Sequence, residues 1–156
     1  MESSDVSCNA ATGPFARGGG IFVSSAWAQI YDSSIDGNSA GVDGGGIYAA
    51  DRALFVSGGE VDGNTAGGYG GGVYIDFTGP ATNGVLWCVS VTNNQAGGKG
   101  GGFYIKSGSF RFDQPVAFSD NKAKLGLDGG GYSPPPQTSV TVLGLPVGAQ
   151  TVDVDQ

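Results

Sequence analysis

The chain contains no histidine. That removes the side chain most used as a general base near neutral pH and the commonest metal ligand. Cations are scarce: seven Lys and Arg stand against fourteen Asp and Glu, a net charge of −7. Arg17, Arg52, Lys99, Lys106, Arg111, Lys122 and Lys124 are scattered along the chain. Nucleic-acid binding needs clustered cations that displace counterions from phosphates, so nucleic acid is excluded as a partner. Anionic membranes and polyanionic glycans are disfavoured for the same reason. The apolar runs are only a few residues long, so direct membrane insertion is not expected. Met1 is followed by polar Glu2, Ser3, Ser4 and Asp5, which points to a mature or cut product or a soluble intracellular chain. Nothing calls for a cofactor.

What is abundant is glycine, 31 residues of 156, with 7 prolines. Such a composition alone would suggest disorder. Yet 39% of residues are hydrophobic, including two tryptophans, eight phenylalanines and six tyrosines. A disordered chain lacks these residues, because it cannot bury enough apolar surface to offset its ordering entropy. The glycine must therefore be organised, and it is. Gly-Gly-Gly triplets begin at Gly18, Gly44, Gly70, Gly100 and Gly129, at spacings of 26, 26, 30 and 29 residues. The first four are followed by an apolar pair, from Ile21-Phe22 to Phe103-Tyr104, and the fifth by Tyr132 alone. Each triplet is preceded by Asn-x-Ala, at Asn9, Asn38, Asn64, Asn94 and Asn121. Three residues ahead of each asparagine stands Val6, Ile35, Val61, Val91 or Phe118.

A period of this length signals a stacked architecture. The short apolar segments bounded by glycine read as strands, and each glycine would cost a helix about 1 kcal/mol relative to alanine. A coil of 26 to 30 residues suits three short strands joined by turns, stacked about 4.8 Å apart in parallel sheets. The predicted fold is all-β: a right-handed parallel β-helix of about five coils over 1–131, with 132–156 a divergent coil or cap. A propeller or sandwich would want longer antiparallel strands and repeats of about 40 residues or more. In the β-helix the triplet makes a corner without Cβ atoms. The asparagines form an amide ladder and tolerate left-handed turn geometry, and the alanine fits a tight interior corner.

Val6-x-x-Asn9, Ile35-x-x-Asn38, Val61-x-x-Asn64, Val91-x-x-Asn94 and Phe118-x-x-Asn121 resemble the Phe-x-x-Asn motif of chlamydial polymorphic outer membrane proteins. The triplet with its following Ile21, and its successors, resembles that group's Gly-Gly-Ala-Ile motif, with a third glycine replacing the alanine throughout. The resemblance covers residues 6 to 132 and is specific to the β-helical surface repeat. It implies a cell-surface, adhesin-like role. The chain has no β-barrel translocator segment, so secretion as an autotransporter is not expected.

Two columns invite a functional reading. Strand alternation turns Ile21, Ile47, Val73 and Phe103 inward and leaves Phe22, Tyr48, Tyr74 and Tyr104 as an outward row. The row serves either in-register stacking that stabilises the sheet or a platform for sugar rings. Asp36 and Asp62 share one position in adjacent coils, about 5 Å apart, where they could hold a cation or share a proton. The Asp-Gly pairs at 36–37 and 62–63 equally fit solvated turns. No nucleophile, base or lysine cluster converges with them. A GxGxxG site lacks its helix, and calcium-binding nonapeptide rolls have a period three times shorter.

Cys8 and Cys88 belong to registers three coils apart, about 14 Å along the axis, so no disulfide is expected between them. The first coil carries no visible cap, which reads either as a fragment boundary or as an end covered by a partner. The expected function is a non-enzymatic structural or interaction module with a protein partner, at the cell surface or within a larger assembly in a soluble compartment. The alternative is a carbohydrate-binding or carbohydrate-cleaving β-helix with a glycan partner.

Overall fold

The computed structural model describes residues 1–78, 83–113, 116–124, 131–132 and 139–142. The chain winds through short strands, coil after coil. The first coil holds β1 (Asp5–Ser7), β2 (Ala10–Ala11) and β3 (Ile21–Ser24). The second holds β4 (Trp27–Asp36), β5 (Ser39–Ala40) and β6 (Ile47–Ala50), and the third β7 (Ala53–Asp62), β8 (Thr65–Ala66) and β9 (Val73–Asp76). In the fourth, the long strand divides into β10 (Asn83–Trp87) and β11 (Ser90–Thr92), followed by β12 (Gln95–Ala96) and β13 (Phe103–Ser107). Then come β14 (Ser109–Asp113), β15 (Ala117–Ser119), β16 (Lys122–Ala123), β17 (Gly131–Tyr132) and β18 (Ser139–Val142).

Equivalent strands of successive coils pair in parallel and form three sheets. One runs β1-β4-β7-β10-β14-β18 with β11 and β15 beside it, the second β2-β5-β8-β12-β16, and the third β3-β6-β9-β13-β17. The protein is therefore an all-β parallel solenoid, of about four turns. The five strands of the third sheet enclose four complete turns, which is how five registers give four turns rather than five coils. Gly129 and Gly130 of the fifth triplet and most of 132–156 lie outside the described residues; of the described ones, β17 pairs with β13 and β18 with β14, both in parallel.

The sequence repeat is the strand register. Ile21, Ile47, Val73 and Phe103 are successive partners, as are Val6, Ile35, Val61, Val91 and Phe118. The longer 30-residue spacing is absorbed between β9 and β10, since the offset is 26 at Ala50↔Asp76 and 30 at Phe55↔Val85. The inward residues stack into one core: Ile35, Ile47, Val61, Val73, Ile75, Leu86, Val91 and Phe103 are wholly buried. Burying each such side chain is worth about 1.5–3 kcal/mol. Toward the later coils the core becomes aromatic, with Phe103, Phe110, Phe112 and Phe118 packed edge-to-face or tilted at 4.6–5.5 Å.

The three glycines of each triplet have different reasons. The first has positive φ, 64–66° at Gly18, Gly44, Gly70 and Gly100, and turns the chain into the third sheet. The second leaves room for the next coil: a Cβ at Gly45 would lie 2.5 Å from the Thr65 carbonyl carbon and against the Gly71 carbonyl oxygen. The third lies under the next asparagine, where a Cβ at Gly46 would meet the Asn64 carboxamide carbon at 3.0 Å. An alanine there would press on the ladder and on the Gly72 carbonyl oxygen.

The left-handed turn at the asparagine corner belongs to the residue before it. Cys8, Gly37, Gly63, Asn93 and Asp120 all have φ of 54–61°. The asparagines themselves do not have positive φ.

Candidate functional site

Asn38, Asn64 and Asn94 are fully buried, and Asn121 nearly so. Each forms one rung of a continuous ladder. Asn38 Oδ1 accepts the backbone N–H of Asn9 at 2.9 Å and its Nδ2 at 3.0 Å. Asn64 Oδ1 accepts both from Asn38, Asn94 Oδ1 both from Asn64, and Asn121 Oδ1 both from Asn94, at 2.9–3.1 Å. The second Nδ2 hydrogen reaches back one coil, from Asn38 to the Val6 carbonyl at 2.7 Å, Asn64 to Ile35, Asn94 to Val61 and Asn121 to Val91. This explains the apolar-x-x-Asn spacing. The apolar residue fills the core, and its carbonyl, three residues before its own coil's asparagine, receives the asparagine of the next coil. Asn38, Asn64 and Asn94 each use two acceptor and two donor positions, the full capacity of a carboxamide.

The aromatic row is also a ladder. Phe22, Tyr48, Tyr74 and Tyr104 stack nearly parallel, with centroids 5.1, 5.0 and 5.4 Å apart. They point away from the main core, and Tyr48 and Tyr74, with Ala50 and the partly buried Tyr104, form a second apolar cluster. Tyr48 and Tyr74 are buried at 5% and 4% exposure, Tyr104 is half-buried, and Phe22 is 58% exposed. The cover is the column just before each triplet, which the sequence reading left unassigned. Arg17 lies over the Tyr48 ring at 5.2 Å and donates to its hydroxyl at 3.4 Å. Tyr69 stacks on Tyr104 at 4.9 Å. Between them Asp43, 5% exposed, pairs with Arg17 Nε at 3.5 Å and accepts the Tyr69 N–H at 3.0 Å. Burial raises the hydroxyl pKa of both tyrosines; at Tyr48 the Arg17 charge partly opposes it. A stacking platform for a sugar needs open ring faces, and Tyr48 and Tyr74 have none. The signal that could have shown this is the opposite charge of Arg17 and Asp43 in one register of adjacent coils.

Asp36 and Asp62 are strand partners, as expected, and both are half-exposed. They do not act alike. The Asp62 carboxylate accepts from Thr92 Oγ1 and, at 2.8 Å, from Asn93 Nδ2, both of the next coil. Asp36 lies beside Gly63. Among the described residues no three His, Cys, Asp or Glu gather where they could hold a metal ion. Other polar clusters fasten coil to coil: Lys106 to Asp76 at 2.7 Å, a bond that raises the lysine pKa, and Ser107 to Asp76 at 2.7 Å.

Exposed tryptophans lie on another face, which the sequence reading did not single out. In β4, Ile30 points into the core and Trp27, Gln29 and Tyr31 alternate outward. Tyr31 packs on Phe55 at 5.7 Å, while Trp27 is 72% and Trp87 44% exposed. Cys8 and Cys88 are both free and exposed, at different corners of different coils: Cys8 aligns with Gly37, Cys88 with Gly58. No described helix is long and apolar enough to cross a membrane.

Two segments of the chain, residues 32–50 and 89–106, match the Chlamydia polymorphic membrane protein repeat. The chain carries that repeat. Each matched segment runs from the end of the first-sheet strand through the asparagine rung and the Gly-Gly-Gly corner into the third sheet, so the repeat is the ladder and corner just described. No curated protein and no solved structure matches the chain. The repeat and the solenoid fit a surface repeat module.

Proposed function

We propose that the chain is a non-enzymatic structural or interaction module of a surface-displayed protein, acting as a rigid stack within a larger assembly. One observation carries this reading. The side chains that repeat coil after coil, the asparagines, the aromatic row and the glycine triplets, all serve to bind one coil to the next. What is left to face a partner is the outside of the sheets. The polymorphic membrane protein repeat supports display at the cell surface. The test is the native mass of the protein in its source, together with protease accessibility on intact cells. A particle well above 15.5 kDa, cleaved from outside, is the expected result. A free 15.5 kDa chain protected inside the cell would overturn it.

The carbohydrate reading retains one supporting observation, the exposed Trp27 and Trp87 on the outer face of the first sheet. Neutral-glycan binding lost on Trp27→Ala and Trp87→Ala would favour it over the protein-partner reading.

A further inference from the structure

Two columns of outward side chains cross the middle of the first sheet. Gln29, Phe55, Val85 and Arg111 form one, and Tyr31, Ser57, Trp87 and Asp113 the other, in order from β4 through β7 and β10 to β14. All are half-exposed or exposed, because Ile30, Val56, Leu86 and Phe112 between them fill the core. This is the side of the stack, with paired strands flanking it at both margins, β1 on β4 and β18 on β14. The charges in these columns, Arg111 and Asp113, pair at 2.5 Å, so the face is neutral in a chain of net charge −7. The Oδ1 of Asp113 is buried with no hydrogen-bond partner among the described residues.

Read from β4 to β14, each column is the complement of itself read from β14 to β4. Across the line between β7 and β10, large Trp87 mirrors small Ser57, and Phe55 mirrors Val85. Tyr31 mirrors Asp113, a phenol donor against the carboxylate with an unpartnered oxygen, and Gln29 mirrors Arg111, an amide carbonyl against a guanidinium. These are the pairs that meet when a second copy lies on this face, related by a two-fold axis along the strands between β7 and β10. Strands of the two copies then run parallel and their stacks antiparallel. Sheets pack face to face about 10 Å apart, with side chains interdigitated, and a two-fold contact makes every such pair twice. Moving the axis by half a coil would set Trp87 on Tyr31 or on a second Trp87. We infer that the outer face of the first sheet is a self-association surface for a second copy of this chain, with Trp87 of each copy seated over Ser57 of the other. This rests on the interaction-module reading and names one partner for it.

The face is small beside a standard interface, so the dimer is weak and forms as concentration rises. The test is sedimentation equilibrium of the intact chain from about 1 μM to about 1 mM, the span in which weak contacts saturate. Reducing buffer is used because Cys8 and Cys88 are free and exposed. A rise from 15.5 kDa toward twice that mass is expected. Ser57→Trp fills the seat and Trp87→Ala removes what fits it, and each should weaken the dimer at least about tenfold. Gln29, fully exposed, tests the register without burdening the fold. Gln29→Glu sets a carboxylate on Arg111 of the second copy and should tighten the dimer severalfold, whereas Gln29→Lys sets like charges together and should weaken it. A chain that stays at 15.5 kDa throughout would overturn the inference. So would a dimer indifferent to Ser57→Trp or weakened by Gln29→Glu. A chain that is monomeric when purified yet comes from a large native particle would remove this surface alone and leave the interaction-module reading standing. Neutral-glycan binding by that monomer, lost on Trp87→Ala, would assign the face to a sugar instead and likewise overturn the inference.

Discussion

The asparagine column and the aromatic column climb the same stack with the same spacing, yet they hold it together by different physics. The asparagines are polar groups in a place without water, so each must be bonded by its neighbours, and every donor and acceptor has one fixed partner. The aromatics lie outside the core and gain from burial and stacking, which tolerate Phe22 where other coils have tyrosine. The first column is invariant across five registers; the second varies and needs a cover made from Arg17, Asp43 and Tyr69. Repetition is strict where partners are obligatory and loose where contact is non-directional.

Substitutions sharpen this contrast. The largest effect should come from neither column but from the corner that sets their spacing. Gly45→Leu places a side chain into backbone on the adjacent coil, and a loss of at least about 3 kcal/mol, read by urea denaturation, is expected. Asn64→Ala comes next. It removes the acceptor of the Asn38 N–H and Nδ2 and the donor to the Ile35 carbonyl and Asn94 Oδ1, and should cost about 3 kcal/mol in the same assay. If it costs no more than an exposed substitution, the ladder is decorative and the contrast fails.

In the aromatic column the effect should depend on position. Tyr74→Ala removes a buried ring and should cost about 3 kcal/mol or slightly less, whereas Phe22→Ala at the open end should cost less than about 1 kcal/mol. Equal losses at the two sites would mean that the cover over Tyr74 contributes nothing. Titration separates the columns in another way, because only the aromatic one ionises. Burial raises the folded-state pKa of Tyr48 and Tyr74 above the ordinary 10.0. The unfolded chain therefore gives up these protons first, and stability should be unaffected below about pH 10 and fall as pH rises above it. Tyr48→Phe with Tyr74→Phe should flatten that fall in denaturant midpoints measured from pH 8 to 11. The smallest effect is expected at Asp36→Asn, within about 0.5 kcal/mol, since that carboxylate is half-exposed at a turn.

Much of this was legible in the sequence. The triplets, the Asn-x-Ala rungs and the apolar residue three positions earlier were enough to give coil length, parallel stacking and the inward set from Ile21 to Phe103, because register in a solenoid is the repeat itself. The left-handed corner was displaced by one residue, to Cys8, Gly37, Gly63, Asn93 and Asp120; five different contexts with one backbone shape leave no single residue type to read. The burial of Tyr48 and Tyr74 was not legible from alternation, which says that a side chain leaves the core and nothing about what lies over it. That cover comes from Arg17 and Asp43, which are neighbours only once the coils are stacked. The exposed face of Trp27, Tyr31, Phe55 and Trp87 went unnoticed for a related reason: in the long first-sheet strand these residues share no single column.

The central claim is that the buried asparagine ladder is the spine of the stack. Amide hydrogen exchange tests it most directly, because the N–H groups of Asn38, Asn64 and Asn94 donate to side-chain oxygens of the next coil rather than to backbone carbonyls. If the ladder is the spine, these three amides exchange only on global unfolding, as slowly as those of core residues Ile47 and Val73, while Asn9 at the open end exchanges faster. Exchange of the interior three at the rate of the exposed turns, with the core amides still protected, would contradict it.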